Sequence, residues 1–357
     1  MDKETLSNYG WIVICTLVLA VMLALATPFG EYIKAGVWST TNGLNDTLNK
    51  NMEITGLYND FGYSHEGEIP EDGYYDTVDG KEIIEGNPFP AIKEGDTYTY
   101  KTHSYVYKES LGGWEVKSAL DKGSTEKHGL ILSEINGKPV VSMNSTYVRR
   151  DDITGFSDEW RIPFSIKYMD RTFTGCSIVT FPDSFRIPNG VTTMNSTFNA
   201  CRSLTSLPEG FTIPNTVTNL MSTFASCESL THLPKSFTLS ASATNCNYTF
   251  YECRKLKSLP SNFTLPNGLI EAEQMFAVCT ELSSIPTDLV IPTTLIDGTA
   301  MFNGCENLSG SFIINAPLNN TILSLMFNGT TQPITIKGTS TNLQEIASSG
   351  SNNIKIN

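Results

Sequence analysis

Cysteine and histidine are the residues from which this chain could build nucleophilic or metal chemistry, and their spacing argues against both. Eight cysteines are present, and six of them (Cys176, Cys201, Cys227, Cys253, Cys279 and Cys305) each stand three residues after a Phe. A thiolate nucleophile needs a base beside it, and a structural zinc site needs four N or S ligands, commonly from Cys-x-x-Cys pairs. No Cys-x-x-Cys pair occurs, and the histidines, His65, His103, His128 and His232, fall on separate segments. His232 takes a place held by Ser206, Ser258 and Ser284 in other repeats, which marks a variable surface position. The sequence contains no Gly-rich phosphate loop, Gly-x-Ser-x-Gly elbow or His-Glu-x-x-His helix. Asp72, Asp76 and Asp79-Gly80 suggest calcium, but the Asp-x-Asp-x-Asp-Gly order of a calcium loop is missing. The expectation is a protein that is not an enzyme, with no catalytic or metal-ligating residues and no cofactor. A net charge of −13 repels phosphate backbones, so no nucleic-acid partner is expected.

The spacing of the thiols is that of a repeat. Phe198/Cys201, Phe224/Cys227, Phe250/Cys253, Phe276/Cys279 and Phe302/Cys305 follow one another at 26 residues. Phe173/Cys176 precedes them by 25, and Tyr147 stands 26 before Phe173 as a worn first copy. A fixed period of this size means stacked units that cannot bury their apolar faces alone. Within a unit, Met194, Phe198 and Cys201 fall at i, i+4 and i+7, the spacing of one helical face. Leu220/Phe224/Cys227, Cys246/Phe250/Cys253 and Ala272/Phe276/Cys279 repeat it. The run Leu204 to Pro208, recurring at Leu230, Leu256 and Leu282, is short and ends in Pro, so it predicts an extended segment. A second extended piece is predicted at Phe211 to Ile213, with counterparts at Phe237, Phe263 and Leu289 and turns at Asn189, Asn215 and Asn267.

The pattern Met-x-x-x-Phe-x-x-Cys-x-x-Leu-x-x-Leu-Pro, followed by Phe-x-Ile-Pro-x-x-Val, resembles the BspA-type leucine-rich repeat of bacterial surface proteins. It covers roughly residues 139 to 330. The copies are longer than that family's usual repeat by residues around Glu209-Gly210, which are expected to bulge. The resemblance implies a curved right-handed solenoid with a strand-lined face, used for adhesion or partner binding and not for catalysis. The fold class expected is an α/β repeat: a leucine-rich-repeat solenoid of period about 26 residues, with a small β-rich N-terminal cap and an N-terminal transmembrane helix. Cysteines at one repeat position are expected to stack as buried free thiols, since Cys packs as a small apolar residue. Cys15 and Cys246 read as packing residues too.

Five segments are expected. Residues 1–30 are a transmembrane anchor or uncleaved signal, because Trp11 to Ala26 is almost wholly apolar and no charge lies between Glu4 and Glu31. Ala24-Leu25-Ala26 also fits signal peptidase, so secretion after cleavage at Ala26-Thr27 is the alternative. Either way the large domain lies outside the cell, and the favoured location is the cell membrane, single pass, with an extracellular C-terminal domain. Cys15 lies mid-run, which excludes a lipoprotein signal, and it occupies the place where a type IV pilin carries Glu. Residues 31–95 form a juxtamembrane helix and acidic linker. Residues 51 to 96 hold 12 Asp or Glu against Lys81 and Lys93, a net −10 that favours a solvated, extended spacer. Residues 96–138 form a β-hairpin N-terminal cap, read from Tyr98, Tyr100, Tyr105, Tyr107, the Gly112-Gly113 turn and Trp114. The solenoid follows at 139–330 and a C-terminal cap at 331–357, with Ile334 to Ile336 and Ile354 to Ile356 as strands.

Positions that vary between copies while the flanking leucines stay constant are candidates for a partner-binding strand face. They are Thr205, Ser206, Thr231, His232, Lys257, Ser258, Ser283 and Ser284. Small hydroxyl residues dominate this face and large aromatics are missing, which suits shallow contact with an extracellular glycan or extended protein strand. The alternative function is a structural subunit of a membrane-anchored assembly, a pilin-like oligomer. The Asn-x-Ser/Thr triplets at Asn144, Asn195, Asn247, Asn262 and Asn307 read as by-products of a polar repeat.

Overall fold

The computed structural model describes residues 77–78, 81–82, 92–100, 103–119, 131–135, 137–158, 160–316, 325–338 and 353–356, all within one compact unit, Phe61–Asn357. The expected membrane span, the juxtamembrane helix, Asp72, Asp76 and Asp79 lie outside the described residues. Among the described residues no helix is long and apolar enough to cross a membrane.

Two short strands, β1 (Thr77–Val78) and β2 (Lys81–Glu82), pair antiparallel. Next come β3 (Thr97–Tyr100), β4 (His103–Lys108), β5 (Gly113–Ala119), β6 (Glu134–Ile135) and β7 (Lys138–Ser142), in a five-stranded sheet ordered β3-β4-β5-β7-β6. The β4–β5 connection is one 3₁₀ turn closed by Gly112 at φ 67°, a left-handed position that suits glycine. β5 lies parallel to β7, the first strand of the repeat body. It takes the place of a preceding coil: the carbonyl of Val116 accepts the Thr146 hydroxyl at 3.2 Å, as Met143 does for Thr172 one coil later. Tyr98, Tyr105, Tyr107 and Trp114 are buried at this end. The Trp114 indole donates to the Ile135 carbonyl at 3.0 Å, which satisfies its one polar atom.

In the repeat body the residues expected to be helical form a ribbon of consecutive tight turns. From Leu220 to Cys227 the N–H groups alternate in destination. Leu220, Ser222, Phe224 and Ser226 donate to carbonyls of the next coil at 2.6–2.8 Å, whereas Thr223, Ala225 and Cys227 donate three residues back at 3.0–3.1 Å. An α-helix bonds four residues back and never leaves its own segment, so the α part of the expected α/β repeat is corrected here. The ribbon reverses twice per coil through residues at positive φ, Ser222 at 54° and Ser226 at 56°, and their counterparts recur in the other coils. The inward set is nonetheless the one a helix would give: Leu220, Thr223, Phe224 and Cys227 are fully buried. Spacing of i, i+3, i+4 and i+7 thus reports an inward face without fixing the backbone that carries it.

Each ribbon residue that points inward has a counterpart above and below. Tyr147, Phe173, Phe198, Phe224, Phe250, Phe276, Phe302 and Phe327 form a stack of near-parallel rings with centroids 5.2–5.6 Å apart. A second stack, Trp160, Phe185, Phe211, Phe237 and Phe263, runs beside it at 6.1–6.5 Å. The two meet edge to face, as Phe224 and Phe237 do at 6.3 Å and 68°. Such pairs contribute about 0.5–1.5 kcal/mol beyond the area they bury. Buried threonines run alongside: Thr223 donates to the carbonyls of Leu220 (2.7 Å) and Met194 (3.0 Å). This row explains three of the Asn-x-Thr triplets, those at Asn144, Asn195 and Asn247, since Thr146, Thr197 and Thr249 are its members. The amide oxygens of Asn144 and Asn247 accept N–H groups of the next coil at 2.8 and 2.7 Å.

The remaining corners are β-turns. Phe211 donates to Pro208 and Val217 to Pro214, each three residues back. Glu209-Gly210 therefore sits in a corner turn and does not bulge, and Asn215 lies in the next corner. At the far end, β8 (Leu289–Ile291), β9 (Gly310–Ile314), β10 (Ile334–Lys337) and β11 (Ile354–Ile356) form an all-parallel sheet ordered β11-β10-β9-β8. Ile334 and Ile336 are buried, and Ile354 and Ile356 pack against the end of the core.

Candidate functional site

The cysteines come together as a ladder, and the ladder is structural. All seven described cysteines are free and buried. Each repeat thiol donates to the carbonyl of the stacked aromatic residue one coil earlier: Cys176 to Tyr147 at 2.8 Å, Cys201 to Phe173 at 3.0 Å, Cys227 to Phe198 at 3.2 Å, Cys305 to Phe276 at 3.0 Å. That carbonyl also accepts its own coil's Cys N–H, as Phe198 does from Cys201 at 3.1 Å. A small, apolar side chain with one weak donor is what this slot requires. Burial pushes the Cys176 and Cys246 thiols up to about 12 and raises those of Cys201, Cys227, Cys253 and Cys279 as well. Such groups are neutral and poor nucleophiles at neutral pH. Among the described residues no group of three or more His, Cys, Asp or Glu side chains could hold a metal ion.

The residues singled out for binding lie after the Cys corner, in two neighbouring rows. Thr205, Thr231, Lys257 and Ser283 form the first, each N–H donating to the coil before: Thr231 to Thr205, Lys257 to Thr231 and Ser283 to Lys257, at 3.0–3.1 Å. Ser206, His232, Ser258 and Ser284 are the residues that follow them, with Ser258 and Ser284 joined as a parallel bridge. Lys257, His232, Ser283 and Ser284 are exposed, and Thr205, Ser206, Thr231 and Ser258 are half-buried.

The small hydroxyls of the first row have a packing role that sequence did not show. Thr205 Oγ1 donates to the Val179 carbonyl at 3.2 Å, Thr231 to Thr205 at 3.3 Å, Ser283 to Lys257 at 3.3 Å and Ser309 to Ser283 at 3.2 Å. Their donors are spent on the neighbouring coil, so they offer lone pairs to solvent. Thr231 also meets His232 Nδ1 at 2.9 Å.

At the C-terminal half of this row a shallow depression of about 550 Å³ opens across four coils, lined by Lys257, Glu281, Ser283, Asn307, Ser309 and Gln332. Lys257 and Ser283 were legible as candidates, whereas Glu281, Asn307, Ser309 and Gln332 were missed. Glu281 and Asn307 stand two residues after their cysteines, and Gln332 two after Thr330, which takes the Cys place. Glu281 and Asn307 lie in the turn closed by the Leu282 and Leu308 N–H groups on the Cys279 and Cys305 carbonyls at 3.0 Å, one residue short of the extended run, so strand alternation does not reach them. The depression holds one cation and one anion, amide side chains, hydroxyl lone pairs and no aromatic ring. Asn307 is held in place by donating Nδ2 to the Thr280 carbonyl at 2.7 Å.

No protein-family model matches the chain, and no curated protein matches it. Among solved structures the chain is similar to a leucine-rich repeat protein from Bacteroides ovatus, at 22% identity over 73% of this chain and 76% of that one, with a TM-score of 0.37.

Proposed function

We propose that this chain is a non-enzymatic repeat protein of the BspA leucine-rich type, held at the cell surface by its apolar N-terminal segment. Its extracellular domain binds an extended protein or glycan across the row that follows the cysteines. The observation that carries this reading is the polar depression from Lys257 to Gln332, which crosses four coils and is aligned with the stacking direction. Repeats place equivalent side chains at regular steps, so a chain-like partner meets the same chemistry several times. With hydroxyl donors committed to backbone carbonyls, the groove offers acceptors and one ammonium, which suits a partner rich in O–H or N–H donors.

The test is a glycan and extracellular-protein binding screen of the full chain, repeated with Lys257→Glu and with Ser309→Lys. A bound partner that weakens about tenfold in either variant supports the groove, since that corresponds to loss of a charged hydrogen bond. A partner bound equally by all three proteins removes the groove from the account.

A further inference from the structure

The turn ribbon before the cysteines carries a second feature that the strand-row reading does not use. Its outward positions are filled by small residues in three coils: Ser196, Asn199 and Ala200 in one, Ser222, Ala225 and Ser226 in the next, and Ala300, Asn303 and Gly304 further on. The coil that follows Ser226 departs from this and places Tyr248, Tyr251 and Glu252 at those positions. Tyr248 and Glu252 both hold φ near 57°, the left-handed conformation that the same places take in the other coils. Nothing in the packing calls for them, because the inward residues of this coil, Cys246, Thr249, Phe250 and Cys253, match those of its neighbours and are equally buried.

The two tyrosines are half-buried and meet edge to face at 5.9 Å and 76°. Tyr251 stands in its row between Ala225 and Ala277, both almost wholly covered, so no adjacent side chain in that row rises as high as its ring. The polar groups beside the pair are fixed by one another. Tyr248 Oη donates to Glu273 Oε1 at 2.5 Å, and Gln274 Nε2 reaches both that carboxylate (3.2 Å) and the phenol oxygen (3.4 Å). Glu252 accepts from Ser226 Oγ at 3.1 Å and pairs with Arg254 at 2.8 Å.

From this arrangement we propose that Tyr248 and Tyr251, with Glu252, Glu273 and Gln274, form a binding site for a neutral carbohydrate. An aromatic ring offers an apolar face with a polar edge, suited to the C–H face of a sugar. The carboxylates, held by internal donors, and the Gln274 side-chain carbonyl, fixed through its own Nε2, offer preorganised acceptors for the hydroxyls, which limits the entropy cost of binding. Ribbon N–H groups are bonded within or between coils, so recognition here belongs to side chains and not to strand addition.

The test restores the small residues of the preceding coil: Tyr248→Ser, Tyr251→Ala and Glu252→Ser together, in the full chain. Calorimetric titration with cellohexaose, maltohexaose, mannohexaose and xylohexaose at about 1 mM and above covers the weak range expected of a shallow site. The expected result is binding of at least one of these by the unaltered chain and a loss of about tenfold or more in the variant, with its melting temperature little changed because the inward residues of the coil are untouched. Absence of binding to all four, equal binding by the variant, or preference for octalysine over every sugar would overturn the proposal. The three substitutions leave Lys257, Ser283 and the rest of the groove intact, so a loss of sugar binding in this variant assigns the sugar to the ribbon and not to the groove.

Discussion

The rows on either side of the cysteines solve the stacking problem in different ways. Before each Cys, the ribbon from Leu220 to Cys227 bonds every second N–H to the next coil and sends the intervening ones back along its own turn. After each Cys, the segment holding Thr231 or Lys257 is tied to the coil before it by one backbone bond, helped at Thr231 by the side-chain hydroxyl. The ribbon is over-determined, with positive-φ residues, buried threonines, thiols and a ring stack all agreeing on one geometry. The strand row asks for little beyond its flanking leucines. Stability is therefore concentrated in the ribbon, and freedom to vary is left to the row that follows.

Replacing a ribbon ring should break this contrast most sharply. Phe250→Ala removes a fully buried ring that stacks on Phe224 and Phe276, and it should cost about 3–5 kcal/mol, read by denaturant unfolding. An effect below about 1 kcal/mol would mean that the stack is not the stabilising element.

The thiol ladder should follow, through pH. The buried thiols have folded pKa values raised above their ordinary value of 9.0. Their contribution is whole below the unfolded pKa of about 8.5 and is lost as pH rises toward the folded values. In reducing buffer, stability should fall steeply between about pH 9 and 12, by about 1.4 kcal/mol per pH unit for each thiol that titrates only in the unfolded chain. Cys227→Ala should flatten that slope by one thiol's share, and unchanged steepness would contradict the assignment.

Hydroxyls give the smallest effects and the finest comparison. Thr223→Val, in the buried row, removes a donor shared by two carbonyls and should cost about 1–2 kcal/mol. Thr231→Val, in the half-buried strand row, should stay within about 0.5 kcal/mol. Equal losses at the two positions would show that the rows are held alike.

Much of the solenoid was legible because its period is fixed and its inward residues recur together. Phe224, Cys227 and Leu230 could be assigned to the core from spacing alone, and the corner at Asn215 from its turn chemistry. The ribbon backbone was not legible. Its inward residues repeat at helical intervals, and nothing about Ser222 or Ser226 announces a left-handed conformation, since Ser is common in every setting. The second ring stack was hidden for a related reason: Phe211, Phe237 and Phe263 were read as alternation along a strand, and only their alignment across coils reveals a column. At the strand face, Lys257 and Ser283 stood out by varying between repeats. Glu281 and Asn307 vary equally, but they sit immediately before the leucine and were absorbed into the corner.

Two steps of the ring column are one residue short, and the first of them bears on how the solenoid takes insertions. Phe173 and Phe198 are 25 residues apart, as are Phe302 and Phe327, where the pairs between them are 26, yet the rings of the two short steps stack at 5.4 and 5.6 Å like the rest. The missing residue falls just past Cys176, where Ile178 follows by two and Leu204 follows Cys201 by three. Both Ile178 and Leu204 are fully buried. That corner is thus a joint at which the chain tolerates a change of length, and an inserted loop there would ride on the rim while the columns within kept their alignment.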